Sequence, residues 1–254
     1  MTGAGFSPQE LNGFRRDGFY VVRGLAPGEL CARILQTSRR HLGERIGPIE
    51  YEADLHYPGA PQSRDAPGGQ TSRRLLQAVA RDPVYREWAT CAPLAVRLRQ
   101  LLGPQPALAQ AHHNCVMTKQ PRYSSVTGWH QDFRYWSFEQ PELVSVWLAL
   151  GPERPENGCL SFIPGTHDME FARERLDAAL FLRPEVPENR ALIERRLTPL
   201  LEPGDVVFFH CLTFHAAGDN RTGEIKFSPV FTYHALDNRP LPGTRSASQP
   251  SIPL

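Results

Sequence analysis

The spacing of apolar residues divides the chain into a helical first part and a β-rich second part. Ser7, followed by Pro8 and by Glu10, has the composition of a helix N-terminus, and Gly18 marks the end of that helix. Apolar residues at helical spacing continue to about residue 102, interrupted by a Gly- and Pro-rich stretch without a clear period. The predicted elements are helices over 7–17, 28–42, 71–81 and 83–102, a strand over 19–22 and a long loop over 46–70.

From about residue 107 the pattern changes to short runs that are rich in β-branched and aromatic residues, which are typical of strands. Asn157-Gly158 predicts a hairpin turn between two of these runs. A charged, helical, lid-like insertion is predicted over 168–197, and a flexible Pro- and Ser-rich tail over 237–254. The predicted strands cover 110–118, 143–150, 158–163, 205–209 and 225–233.

Together these elements predict one domain over 1–254, mainly β with a helical layer. The N-terminal helical part covers about 1–105, and the β core covers about 106–236 as a sandwich or an open barrel.

Charge and cysteine content narrow the class of protein. The chain has 28 basic and 27 acidic residues, and this balance argues against a nucleic-acid-binding or membrane-surface protein. Five scattered cysteines without a close pair argue against a disulfide framework or a structural zinc site. The first residues lack the pattern of a secretory signal, and no apolar run is long enough to span a membrane. We expect a cytoplasmic protein that acts on a small molecule; the sequence does not indicate its oligomeric state.

The first candidate for chemistry is the segment Gly128-Trp129-His130-Gln131-Asp132. Residues i and i+2 of a strand lie on one face, so His130 and Asp132 are able to bind one ion together. A second imidazole from elsewhere would complete a set of two histidines and one carboxylate, which leaves one face of an octahedral ion open. The His-x-Asp pattern alone is common, and taken by itself it more often marks a surface turn or a hydrogen-bonded pair than a metal site.

The second imidazole is expected from the segment that follows the Pro203-Gly204-Asp205 turn, where an apolar run leads to His210 and His215. Strand alternation places these two histidines on opposite faces, so one of them should face the metal. Three small residues follow His215 and allow ligands to approach closely, which favours His215 over His210.

Lys226 and Ser228 lie on one face of the next predicted strand. An inward-facing lysine needs an anionic partner, because an unpaired buried charge is costly. The distal carboxylate of a dicarboxylate co-substrate would supply that anion, with Ser228 donating a second hydrogen bond. The alternative is a lysine that faces solvent.

These motifs resemble the phytanoyl-CoA dioxygenase family of Fe(II)- and 2-oxoglutarate-dependent oxygenases. The resemblance covers about 110–234 and extends to an N-terminal strand. The matching segments occur in the same order as in the family. They are Gly18–Leu25, Trp129–Asp132, Val144–Leu150 with Trp147, Glu156–Leu160, Pro164–His167, Gly204–His210 and His215–Asn220.

The resemblance implies a double-stranded β-helix of the jelly-roll or cupin type, with the N-terminal helices packed on one sheet. It implies that His130, Asp132 and His215 bind Fe(II), and that Trp147 and Lys226 hold 2-oxoglutarate. By a weaker alignment, Arg74 and Cys115 fall where the family has further co-substrate contacts. The chain departs from the family in having Lys226 in place of an arginine and Ala217 in place of a serine; a lysine offers a point charge rather than a bidentate fork.

The implied activity is the hydroxylation, or another oxidation, of an unactivated C–H bond of a small molecule, with O₂ consumed and succinate and CO₂ released. Two alternatives remain at this point. One is a different metal-dependent cupin-like enzyme, such as a zinc isomerase or hydrolase, and the other is a non-catalytic relative that binds metal or 2-oxoglutarate without turnover.

Overall fold

A computed structural model of the protein, which describes residues 4–55 and 57–254, contains two antiparallel β-sheets and six α-helices within those residues. The helices are α1 (Pro8–Asp17), α2 (Gly28–Gly43), α3 (Ala78–Arg81), α4 (Pro83–Ala89), α5 (Ala92–Leu102) and α6 (Pro187–Glu194). The strands are β1 (Phe19–Val22), β2 (Ile49–Tyr51), β3 (Ser72–Leu76), β4 (Pro106–Leu108), β5 (Asn114–Lys119), β6 (Thr127–His130), β7 (Leu143–Leu148), β8 (Leu160–Phe162), β9 (Val206–His210), β10 (His215–Ala217), β11 (Lys226–Ala235) and β12 (Ile252–Pro253).

The two sheets differ in size. The large sheet has the order β1-β9-β7-β11-β5-β3-β2, with β4 beside β11 and β12 beside β4. The small sheet has the order β6-β10-β8. Neighbouring strands in both sheets are antiparallel, and most of them are distant in sequence, so long-range pairing builds the core.

The large sheet is buried on both faces, and the alternation of side chains along its strands separates two hydrophobic layers. On β7, Val144, Val146 and Leu148 pack with apolar side chains of the N-terminal helices. Trp147 points the other way and packs with Phe162 of the small sheet. The fold is therefore mainly β, with the N-terminal helices on one sheet and a second core between the sheets, which confirms the expected fold class.

The start of the chain agrees with the sequence pattern. Ser7 caps α1: its side chain accepts from the Glu10 backbone N–H, and the Glu10 carboxylate accepts from the Ser7 backbone N–H. Gly18 ends the helix with a φ of 77°, a conformation that glycine adopts without steric cost. Residues 1–3, on which part of the secretory-signal argument depends, lie outside the described residues.

The predicted helix over 71–81 is wrong in its first half. Residues Ser72–Leu76 form β3, which pairs with β5 on one side and with β2 on the other. Pairing with two strands overrides the local helical pattern, and Leu75 is fully buried as a result. The loop predicted over 46–70 contains β2, and the helix predicted over 83–102 is divided into α4 and α5.

Asn157-Gly158 does not form a hairpin between paired strands. It ends a 3₁₀ turn, Gly158 has a φ of 72°, and the connection leads from β7 in the large sheet to β8 in the small sheet.

Two segments differ from the prediction. The insertion over 168–197 is less helical than expected, and the tail over 237–254 is more structured. Within 168–197 the α-helical part is α6, and the rest is 3₁₀ turns and irregular chain. The tail over 237–254, expected to be flexible, returns to the large sheet, where β12 pairs with β4. Ser246 of this tail is buried and hydrogen-bonds the His112 ring (2.7 Å).

The structure adds two observations on the class of protein. None of the described helices combines the length and apolarity that a bilayer crossing requires. All five cysteines are unpaired.

Candidate metal centre and adjoining cavity

The small sheet brings three candidate ligands together at the edge of the inter-sheet core. His130 is the last residue of β6, and His215 is the first residue of β10, directly opposite it in the strand pairing. Asp132 begins the 3₁₀ turn that follows β6. The Nε2 atoms of His130 and His215 lie 3.8 Å and 3.6 Å from Asp132 Oδ1, and all three residues are buried. Cation ligation by this set requires no change in backbone.

The three residues come together, but the argument from strand alternation that led to them was wrong in detail. Asp132 is not in the strand of His130, and a turn over 211–214 separates His210, at the end of β9, from His215. The His210 ring faces away from the site and lies 3.3 Å from Glu142 Oε2.

Hydrogen bonds to backbone carbonyls orient both imidazoles. His130 Nδ1 is 2.9 Å from Gly128 O, and His215 Nδ1 is 3.0 Å from Thr213 O. Carbonyl oxygens only accept, so Nδ1 carries the proton and the Nε2 lone pair points towards Asp132. Burial, and then the neighbouring His215, hold the pKa of His130 well below its ordinary value. A neutral imidazole is the form that binds a metal.

Asp132 has one oxygen held in place and one without a partner. Oδ2 accepts a hydrogen bond from Ser145 Oγ (3.1 Å), and His113 Nδ1 lies 3.5 Å away. Burial acts to raise the pKa of Asp132, but His113, His215 and His130 together hold it below its ordinary value. Oδ1 is buried and has no hydrogen-bond partner among the described residues. An ionised carboxylate with a bare buried oxygen beside two imidazole lone pairs fits a divalent transition metal.

Ser145 positions this carboxylate, so its removal should weaken metal binding. We expect Ser145→Ala to lower Fe(II) affinity by about 10–100-fold, as loss of a partner of a ligand typically does. Anaerobic isothermal titration with Fe(II) measures the change. Ser161→Ala is the matched control, since Ser161, on β8, hydrogen-bonds Thr198 and not a candidate ligand. Equal affinities of Ser145→Ala and the unaltered protein would contradict the positioning role.

A cavity opens on the three candidate ligands. Of the residues expected to hold 2-oxoglutarate, Arg74, Trp147 and Lys226 line it. Cys115 lines a second cavity next to it, which shares Arg74 and His113 with the first.

Lys226, Ser228 and Trp147 do come together, around a carboxylate that belongs to the chain itself. Lys226 Nζ is 3.1 Å from Glu153 Oε2, and Ser228 Oγ and Trp147 Nε1 donate to Glu153 Oε1 at 2.6 Å and 2.8 Å. The expectation that the inward lysine needs an anion is met within the protein. Glu153 was not identified from the sequence; the same argument, applied to the acidic residues that follow β7, is the signal that could have found it.

Two further cations of the cavity were missed from the sequence. Lys119, opposite Lys226 in the strand pairing, is buried and donates to Ser125 O (2.7 Å). Burial, and then Arg73 and Lys226, lower the pKa of Lys119 to about 7. Arg73 is held by an ion pair with Glu52 (3.0 Å).

Comparison with known proteins agrees with this site. A family model described as phytanoyl-CoA dioxygenase (PhyH) matches residues 14–228, which include β1, all three candidate ligands and Lys226. The chain belongs to the phytanoyl-CoA dioxygenase family.

Relatives in the family are distant but match most of the chain. A probable phytanoyl-CoA dioxygenase from Caenorhabditis elegans is 23% identical over 237 residues, covering 87% of this chain and 72% of the relative. An ectoine dioxygenase from Sphingopyxis alaskensis is 26% identical over 252 residues, covering 93% of this chain and 78% of the relative.

Solved structures of similar proteins show the fold. The structure of EctD from S. alaskensis with 2-oxoglutarate and 5-hydroxyectoine has a TM-score of 0.76 at 21% identity, over 98% of this chain and 84% of that one. The epimerase SnoN, in complex with Fe³⁺, alpha ketoglutarate and nogalamycin RO, has a TM-score of 0.73 at 24% identity, over 97% and 94%. At these identities the likeness establishes the double-stranded β-helix architecture.

Proposed function

We propose that the protein is an Fe(II)- and 2-oxoglutarate-dependent dioxygenase that hydroxylates, or otherwise oxidises, an unactivated C–H bond of a small molecule. The observation that carries the proposal is the facial set of His130, Asp132 and His215, with the bare Asp132 Oδ1 between two Nε2 lone pairs. Family membership supports the reaction type, as do the bound groups named for the EctD and SnoN structures. The match over residues 14–228 also supports a single catalytic domain.

In this reaction the bound iron and co-substrate supply a two-electron oxidation, in which substrate C–H, O₂ and 2-oxoglutarate become C–OH, succinate and CO₂. His130, Asp132 and His215 would hold the metal, and the cavity that opens on them would receive the co-substrate. Ser145 and His113 hold Asp132 in its orientation, and the carbonyls of Gly128 and Thr213 hold the two imidazoles. The site is buried, so it excludes bulk water from the reacting groups.

The second cavity, which Cys115 lines, is where we place the organic substrate. It adjoins the metal centre through His113 and is walled by the aromatic side chains of Tyr57, Tyr135 and Trp136. Phe181, from the insertion, packs on His130 with ring centroids 5.7 Å apart and covers the site. Aromatic walls with a few polar groups suit a small molecule, and the near-neutral charge of the chain favours this over a nucleic acid or a membrane surface. A cytoplasmic location is part of the proposal.

Removal of the metal tests the reaction class. We expect the protein, supplied anaerobically with Fe(II) and then with 2-oxoglutarate and O₂, to release succinate, and we expect a chelator in excess to abolish that release. Liquid chromatography of succinate measures the result. Readdition of Fe(II), with Zn(II) as the comparison metal, distinguishes the oxygenase from a zinc cupin-like enzyme. Turnover supported by Zn(II), or turnover without O₂, would contradict the proposal.

A further inference from the structure

Glu153 binds the three side chains that the sequence assigns to the co-substrate carboxylate, and two of them, Lys226 and Trp147, line the cavity. No part of its side chain is exposed, and its two oxygens accept from Lys226, Ser228 and Trp147. Lys226 Nζ also lies 5.0 Å from the centre of the Trp147 ring, so the ammonium is enclosed on two sides.

The backbone fixes Glu153 in this position. Its N–H donates to Leu201 O (2.9 Å), and its carbonyl accepts from Leu201 N–H (3.2 Å). Withdrawal of the carboxylate therefore needs a change of side-chain torsions within a packed core, because the chain around it is held.

A second carboxylate at Lys226 meets an unfavourable charge balance. The ammonium carries one positive charge, which Glu153 already balances, and two carboxylates that share this cation repel each other. Arg73 and Arg74, which line the same cavity, have carboxylate partners in Glu52 and Glu50. Lys119, which donates to Ser125 O, offsets the repulsion only in its protonated form. The incoming group must displace Glu153, cause it to take up a proton, or bind weakly. A 2-oxo acid whose far end is uncharged meets none of these costs.

We propose that Glu153 is a specificity-determining residue, which competes with the distal carboxylate of the 2-oxo acid co-substrate for Lys226, Ser228 and Trp147. It lowers the preference of the site for 2-oxoglutarate over 2-oxo acids that lack that carboxylate. The inference rests on the proposed function, since it concerns the co-substrate of the same site.

The test compares 2-oxoglutarate with 2-oxovalerate, which has the same carbon chain and no distal carboxylate. Anaerobic titration of the Fe(II)-loaded protein, followed by the visible absorption band of the Fe(II)–2-oxo acid chelate, gives a dissociation constant for each acid without turnover. In the unaltered protein we expect the two dissociation constants to differ by less than about tenfold, because competition from Glu153 offsets most of the affinity that the distal carboxylate would add. Glu153→Gln should tighten 2-oxoglutarate binding by about tenfold or more and change 2-oxovalerate binding by less than about twofold.

Two comparison variants isolate the effect. Glu156→Gln removes an exposed carboxylate three residues further along the same connection and should leave both constants unchanged. In a Lys226→Met background, Glu153→Gln should no longer tighten 2-oxoglutarate binding, because the cation for which the two carboxylates compete is absent.

The outcomes separate this inference from the proposed function. If Glu153→Gln weakens 2-oxoglutarate binding or leaves it unchanged, Glu153 positions Lys226 and does not compete, and the inference is overturned. If that variant does not fold, a preference of the unaltered protein for 2-oxoglutarate of more than about tenfold overturns it equally. If neither acid gives an absorption band with the Fe(II)-loaded unaltered protein, the proposed function fails and the inference fails with it.

Discussion

Asp132→Ala should abolish succinate release and lower Fe(II) affinity by more than about 100-fold, exceeding the 10–100-fold typical of losing a partner of a ligand. The substitution removes the only carboxylate of the ligand set, and with it the negative charge that balances the metal. His130 and His215 would remain in place, because backbone carbonyls orient them independently of Asp132. Anaerobic Fe(II) titration and succinate chromatography measure the two effects.

The matched control for this result is Asp237→Ala, which removes an exposed aspartate of the tail. A thermal unfolding curve of Asp132→Ala without metal should show that the fold persists, since the removed group carries a buried charge with an unpaired oxygen. Retained Fe(II)-dependent succinate formation in Asp132→Ala would rule out the facial set as the metal site.

Glu52→Ala should lower the free energy of unfolding by about 3–5 kcal/mol, the usual cost of breaking a buried ion pair by removing one partner. Glu52 Oε2 is 3.0 Å from an Arg73 guanidinium nitrogen, and side-chain exposure is 1% for Glu52 and 3% for Arg73. Ser125 Oγ also donates to Glu52 (2.6 Å) and would lose this acceptor. The variant leaves a buried guanidinium with Glu50, at 3.9 Å, as its nearest remaining carboxylate.

Urea denaturation followed by tryptophan fluorescence measures this loss. Glu29→Ala, which removes an exposed glutamate from the first turn of α2, is the control and should change stability by less than about 0.5 kcal/mol. Glu52→Gln combined with Arg73→Met should recover most of the loss, since replacing both partners of a buried pair is often near neutral. A Glu52→Ala variant as stable as the Glu29→Ala control would show that the pair contributes little.

The candidate ligands were predictable because their residue types are rare in combination and lie in an ordered set of motifs. His130, Asp132 and His215 were chosen partly by an argument from strand alternation that the structure does not support; the small residues after His215 and the ordered motifs favoured the same three residues. Lys226 was predicted to face inwards for a physical reason, the cost of an unpaired buried charge, and the structure places it there.

The features that were missed depend on long-range pairing. Arg74 was assigned to a helix because Leu75, Leu76, Ala78 and Val79 have helical spacing, whereas β2 and β5 hold that segment in the sheet. Glu153 lies in a connection whose path is set by a bridge to Leu201, some fifty positions later, and local pattern carries no trace of this contact. The periodicity of the tail did not predict its ordered structure, because that structure depends on the pairing of β12 with β4, two short strands far apart in sequence.

The double-sided burial of β7 has a consequence for how this protein tolerates genetic change. Val144, Val146 and Leu148 support the helical layer, so variation at these positions selects on expression and folding. Ser145 donates to Asp132, the candidate ligand, and Trp147 donates to Glu153. Substitutions at these two positions should therefore change the chemistry of the site. In a mutant library of this strand, changes at the two sets of positions should therefore be separable: the first set alters folding through the helical layer, and the second alters the site and the inter-sheet core together.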